Sequence, residues 1–128
     1  LIWDEASYEA GELLSHLWLS KGIAGLDYGL SSNGDSGFRI RLAPGAREVQ
    51  LIERREGKDT HMETGTLREP IMKHWHRIGV RVEDGIHRVT SNGEVVIVAY
   101  AKDWTGDGVG IFAEAGSDLA ISDIAITE

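Results

Sequence analysis

Glu48 and Glu53 stand five residues apart in the stretch EVQLIE, and paired carboxylates are the simplest equipment for cleaving a glycosidic bond. A retaining reaction needs one as general acid/base and the other as nucleophile, with the carboxyl groups about 5–5.5 Å apart. Positions five apart on an unbulged strand, however, face opposite ways. Gln50 lies between them, and an amide supplies neither a carboxylate's charge nor a shareable proton. Glu48 is thus the candidate general acid/base. The competing reading is an exposed strand whose Glu48 and Gln50 are solvated or bound to neighbouring arginines.

His74-Trp75-His76 offers a second chemistry. Histidines at i and i+2 of a strand project from one face and could hold a metal with His61 or Glu63 as a third ligand. His76 is also in phase with Ile78, which favours a hydrogen-bonded histidine on the core side. Asp103 and Asp107 in DWTGDG, or Asp27 and Asp35, could offer oxygens to Ca²⁺, although neither loop has the alternating acids of a dedicated calcium loop. Calcium is therefore the one cofactor left open. A sugar-binding face combines an aromatic ring with a few polar groups that fix hydroxyls. Trp18, Tyr28, Tyr100 and Trp104 supply the rings, and Asp27, Arg39, Arg41 and Gln50 the polar groups. Trp104, in a polar loop between acids, is the best aromatic candidate. Trp75 or Trp18 is expected as a large member of the core. No Ser-His-Asp order, phosphate-cradling glycine loop or amphipathic membrane helix stands out.

The elements that must position these residues are short strands. In HWHRIGVRVEDGIHRVTSNGEVVIVAY, Ile78, Val80 and Val82 alternate with Arg77, Gly79 and Arg81, the period of a half-buried strand. Asp84-Gly85 and Asn92-Gly93 are strong hairpin signals, so strands at Ile86–Thr90 and Glu94–Tyr100 complete a three-stranded meander. Earlier strands are expected at Glu12–Ser20, Ile23–Ser31, Gly37–Leu42, Arg47–Arg55 and Thr60–Leu67, and later ones at Val109–Glu114 and Leu119–Ile126. In Ile23–Ser31, Leu26, Tyr28 and Leu30 share one face while Gly25, Asp27 and Gly29 leave room on the other. Sixteen Gly, two Pro and no sustained helical period describe an all-β sandwich of two packed antiparallel sheets.

With 128 residues the chain is one domain. It has no Cys, which excludes disulfide and thiolate chemistry. A net charge of −8 and a pI of about 5.1 argue against nucleic acid as the main partner, because duplex binding needs a basic field. No apolar run reaches the roughly 18–20 residues of a membrane helix. The nine arginines, Arg39 to Arg88, all lie mid-chain, where a local anion or sugar-hydroxyl site competes with ordinary solvated sheet faces. The start at Leu1 reads as that of a fragment or processed product.

The order of pieces resembles the concanavalin A-like jelly roll of lectins, laminin-G-type modules and glycan-processing enzymes. Four stretches carry the likeness: Ser36-Gly37-Phe38 leading to Arg41, Glu48-Val49-Gln50-Leu51, the Trp75 strand with its Asn92-Gly93 hairpin, and GVGIFAEAG followed by AISDIAI. In that motif order the chain is similar to the bacterial 3-keto-disaccharide hydrolase family over residues 24–127. Glu48 to Glu53 also resembles the E-x-D-x-x-E catalytic strand of laminarinase-type glucanases on the same fold, in which a bulge brings the two outer Glu residues to one face; Gln50 stands here in place of the middle carboxylate. His76 departs from the hydrolase family, which usually shows Asn there. The likeness implies Arg41, Glu48 and Gln50 as ligand contacts on a concave sheet face. It also implies that strands are missing at the N-terminal end, leaving a sheet edge open to a neighbouring domain or chain. The expectation is a non-catalytic carbohydrate-binding or adhesion module, extracellular or periplasmic, with Arg41, Glu48, Gln50 and Trp104 at its site. A glycoside hydrolase using Glu48 and a protein-interaction module pairing through the open edge are the alternatives.

Overall fold

A computed structural model of the chain describes residues 10–42, 48–67, 75–101 and 108–127. Among them the alternating segments form β1 (Ala10–Lys21), β2 (Ala24–Leu30), β3 (Gly37–Leu42), β4 (Glu48–Arg55) and β5 (Lys58–Thr66). They continue as β6 (Trp75–Glu83), β7 (Ile86–Ser91), β8 (Glu94–Tyr100), β9 (Gly108–Ala113) and β10 (Asp118–Thr127). Two antiparallel five-stranded sheets result, ordered β10-β1-β6-β7-β8 and β5-β4-β3-β2-β9. Every strand expected from the sequence is present within two residues of its expected ends, and the β6-β7-β8 meander is among them.

The hairpins close where two consecutive residues accept positive φ. Glu56-Gly57, Asp84-Gly85 and Asn92-Gly93 have φ of 51° and 79°, 52° and 76°, and 51° and 87°. Such turns match the right-handed twist of the strands they join. Asn92 also clamps the neighbouring strand: the Arg77 N–H donates to its Oδ1 at 2.8 Å, and its own N–H donates to the Arg77 carbonyl at 2.7 Å.

Strand parity sets the core. Leu13, Leu17, Ile78, Val80, Val82, Val89 and Ile97 project from one sheet, and Leu26, Tyr28, Phe38, Ile40, Leu42, Val49 and Leu51 from the other. Burying each large aliphatic side chain contributes roughly 1.5–3 kcal/mol before entropy is counted. The bulky centre is the stacked pair Tyr28 and Phe38, ring centroids 5.3 Å apart, with the His87 ring 4.6 Å from Phe38. His87 Nε2 lies 3.4 Å from the Ala101 carbonyl, which can only accept, so Nε2 carries the proton and Nδ1 accepts from the Tyr28 hydroxyl at 2.7 Å. Burial lowers the His87 pKa to about 4 and pushes that of the Tyr28 phenol well above its usual value.

This arrangement corrects the expected core. Trp18 and Trp75 are not its large members: they oppose each other on the outer side of their sheet and are 40% and 48% exposed. The reason is parity, since Trp75 is in phase with Arg77 and Arg81 while His76 and Ile78 turn inward. Tyr28, named as a sugar-stacking ring, is fully buried instead.

Candidate functional site

The outer face of the β5-β4-β3-β2-β9 sheet gathers the polar residues that the core excludes. Residues directly opposed on antiparallel strands share a face, so the register lays them out in rows. One row runs Thr64, Gln50, Arg41, Gly25, Phe112; the next runs His61, Ile52, Arg39, Asp27, Gly110. Arg39 donates from Nε to Asp27 Oδ1 at 2.7 Å and from its terminal nitrogen to Oδ2 at 3.0 Å, a two-pronged pair that is largely buried. The hydrogen bond to Asp27 raises the pKa of Arg39 further, so its charge is fixed. The same guanidinium reaches across β2 and lies 3.8 Å over the centre of the Phe112 ring. Beside it the Arg41 guanidinium donates to Gln50 Oε1 at 2.9 Å.

Glycine makes room for this crossing. Gly25 stands between Arg41 and Phe112, and a Cβ there would come within 1.7 Å of the Ile40 carbonyl oxygen, so no side chain can enter the row. Asp27 and Arg39 thereby form a rigid floor, with Phe112 on one flank and Arg41 with Gln50 on the other. Fixed donors and acceptors beside an aromatic ring can hold vicinal hydroxyls while the ring meets apolar C–H groups.

The structure unites Arg41 and Gln50 through a hydrogen bond and places Glu48 on the same face, exposed, opposite Thr66. Glu53 is opposite Phe38 and therefore on the other side of the sheet from Glu48. The bulge that could have reunited them lies in β5: Leu51 pairs with Glu63 but Ile52 with His61, so Met62 is the extra residue and β4 stays regular against β3. Glu48 and Glu53 do not form a two-carboxylate centre. Trp104 lies outside the described residues, as do Asp103, Asp107 and His74.

His61 and His76 belong to different sheets. His76 is buried on the core side, and His61 sits on the outer face with Nε2 2.6 Å from Thr64 Oγ1. Both oxygens of Asp27 are engaged by Arg39, and Asp35 closes a turn with its N–H on Asn33 Oδ1 at 3.0 Å. Among the described residues no three His, Asp or Glu side chains are placed to hold a metal ion. Phe112 is the member of the face that sequence reasoning missed. Its signal was the alternation Gly108, Gly110, Phe112, which sets one ring on an otherwise bare strand face.

No family model and no curated protein sequence matches the chain. Solved structures do. The carbohydrate-binding module CBM66 from Bacillus subtilis aligns with a TM-score of 0.83 at 9% identity, covering 94% of this chain and 76% of that one. Sheep galectin-11, in complex with glycerol, aligns with a TM-score of 0.71 at 10% identity, covering 92% and 90%. The chain is a jelly-roll β-sandwich. A family 7 alginate lyase, A1-II′, in complex with substrate, shares the sandwich with a TM-score of 0.65 at 15% identity, covering 99% of this chain and 63% of the lyase. This chain thus spans less than two thirds of that enzyme.

Proposed function

We propose that this chain is a non-catalytic carbohydrate-binding or adhesion module, extracellular or periplasmic, that takes a glycan on the outer face of the β5-β4-β3-β2-β9 sheet. The observation that carries the reading is the Asp27–Arg39 pair stacked on Phe112 beside the Arg41–Gln50 pair. These groups are held by paired strands, so little ordering is required when hydroxyls replace water on them. Glu48 adds an acceptor at the end of the same face. The likeness in fold to a carbohydrate-binding module and to a galectin agrees with a glycan partner.

The alternative follows from the motif order shared with the 3-keto-disaccharide hydrolases. It makes the same face a substrate groove, with Arg41, Glu48 and Gln50 as its contacts and Glu48 as general acid/base. Turnover of a 3-keto-disaccharide that disappears in Glu48→Gln is the result that would favour it. The separation of Glu48 from Glu53 favours the binding reading.

A printed glycan array probed with the whole chain, followed by calorimetric titration of the strongest hit, tests the proposal. Arg41→Ala removes a charged hydrogen bond worth roughly 1.5–3 kcal/mol and should weaken binding by about 10- to 100-fold. Phe112→Ala removes a stacking contact of roughly 0.5–1.5 kcal/mol and should weaken it by about 2- to 10-fold. An array without hits, or hits bound equally by both variants, overturns this assignment.

A further inference from the structure

The β10-β1-β6-β7-β8 sheet has an outer face that the proposed site does not use. There Trp18 and Trp75 meet edge to face with ring centroids 5.8 Å apart, both substantially exposed. An aromatic side chain left in water forgoes roughly 1.5–3 kcal/mol of burial, so two adjacent ones mark a surface suited to contact. Along the same side of β6 follow Arg77, Gly79 and Arg81, and Arg88 stands directly opposite Arg81 on β7. Like charges directly opposed across strands are unfavourable on their own.

Arg81 is offset by Glu83 at 3.3 Å and faces Glu12 across the strand pair. The guanidiniums of Arg77 and Arg88 have neither a hydrogen bond nor an ion pair among the described residues. Between Arg77 and Arg81, Gly79 is covered by the side chains of Leu14 and Thr90, since a Cβ there would come 3.0 Å from both Leu14 Cδ1 and Thr90 Oγ1. At a rise of about 3.3 Å per residue, the face extends roughly 20 Å from Trp75 to Arg81. At its far end Arg81, Glu83, Asp84, Ile86 and Arg88 line a pocket of about 370 Å³.

We infer that this face is a second binding track, for a polysaccharide bearing carboxylate or sulfate groups. Trp18 and Trp75 stack on the C–H face of one sugar, and Arg77 and Arg88 receive anionic groups further along. Charge selects this occupant. A dry apolar protein surface would bury Arg77 and Arg88 unpaired, at a large desolvation cost, whereas a polyanion pairs both. The chain's net charge of −8 repels a polyanion in general, so its binding to this track is salt-sensitive. The inference rests on the glycan-binding reading, applied to a different surface.

Affinity electrophoresis of the whole chain through gels containing polygalacturonate, dextran sulfate or neutral dextran tests it. Retardation is expected in one or both polyanion gels and not in dextran, and the gel that retards more identifies carboxylate or sulfate as the preferred group. Trp75→Ala and Arg77→Ala should each weaken the retardation about tenfold, equivalent to about 1.4 kcal/mol, while Trp75→Phe restores most of it. Arg41→Ala should leave it intact. An unchanged thermal midpoint in the two exposed-site variants separates lost binding from lost folding. No retardation by either polyanion, equal retardation of wild type and both variants, or a dimer that Trp75→Ala converts to monomer each overturns the track. Loss of retardation in Arg41→Ala alone moves the polyanion to the other sheet and leaves the glycan-binding reading standing. Loss of array binding with Trp75-dependent retardation intact does the reverse.

Discussion

His87 shows how much a single buried residue can fix. Its ring is wedged against Tyr28 and Phe38, and its two nitrogens are committed to the Tyr28 hydroxyl and the Ala101 carbonyl. Protonation would reverse the first of these, Nδ1 then donating to the Tyr28 hydroxyl, and burial lowers the pKa from 6.5 to about 4. The unfolded chain then binds the proton more readily than the folded one between those values. Stability is therefore fully present above pH 6.5 and falls as pH drops toward 4, by an amount on the order of 3 kcal/mol from this residue. Urea melts at pH 7 and pH 4.5 should show the loss, and His87→Leu should flatten that part of the profile; an unchanged slope in the variant would assign the loss elsewhere. At this scale the sequence was legible where parity was applied and misleading where residue type was followed instead. The family resemblance implies a common face for Arg41 and Gln50, strand alternation turns each of them away from the core, and they are hydrogen-bonded to each other. Trp75 was assigned to the core because tryptophan is large and apolar, although its phase with Arg77 already set it outside. Phe112 escaped notice because its role depends on β9 lying beside β2, where Phe112 meets Gly25, a residue more than 80 positions away that no local pattern brings to it.

Strands and turns were the most legible scale, because each rests on local chemistry. The Asp-Gly and Asn-Gly hairpins follow from φ preference, and the alternations within β3, β4 and β6 from the need to bury one side. The β5 bulge was not legible. The sequence suggests Met62, Thr64 and Thr66 on one side and His61, Glu63 and Gly65 on the other, but the extra residue at Met62 brings His61 to the outer face with Thr64, while Gly65 faces the core. The inward glycine has a structural use. Gly65 lets β5 approach β8, and a Cβ there would sit 2.4 Å from the Val96 carbonyl oxygen. Gly65→Ala must push the two strands apart and should cost roughly 1–3 kcal/mol, read as a lower urea midpoint with an unchanged slope. A variant as stable as the wild type would mean that these two sheet edges are not closely packed. The close approach also bears on the expected open edge. On this side of the sandwich β8 is flanked by β5, while β9 and β10 end the two sheets elsewhere.

At the scale of the whole molecule, the sandwich presents two sheet faces with different equipment. One carries a neutralised pair, Asp27 with Arg39, a ring and the Arg41–Gln50 pair; the other carries two exposed indoles and the arginines Arg77 and Arg88, whose guanidiniums have no ion pair among the described residues. The mid-chain arginines contribute to both faces within a chain of net charge −8. Composition and turn spacing made the two-sheet architecture legible, because a 128-residue chain of short strands has few other ways to bury both sheets. The ligand was not legible to the same degree, since sugar recognition depends on which side chains meet across strands, and many functions share this fold. The most direct test of glycan binding on the β5-β4-β3-β2-β9 face is amide chemical-shift mapping of the whole chain titrated with the strongest array hit. Saturable shifts are expected to cluster at Gly25, Asp27, Arg39, Arg41, Gln50 and Phe112, with Ile78, Val80 and Val89 unmoved. Shifts confined to the opposite sheet, or none at ligand concentrations that saturate the array signal, would contradict it.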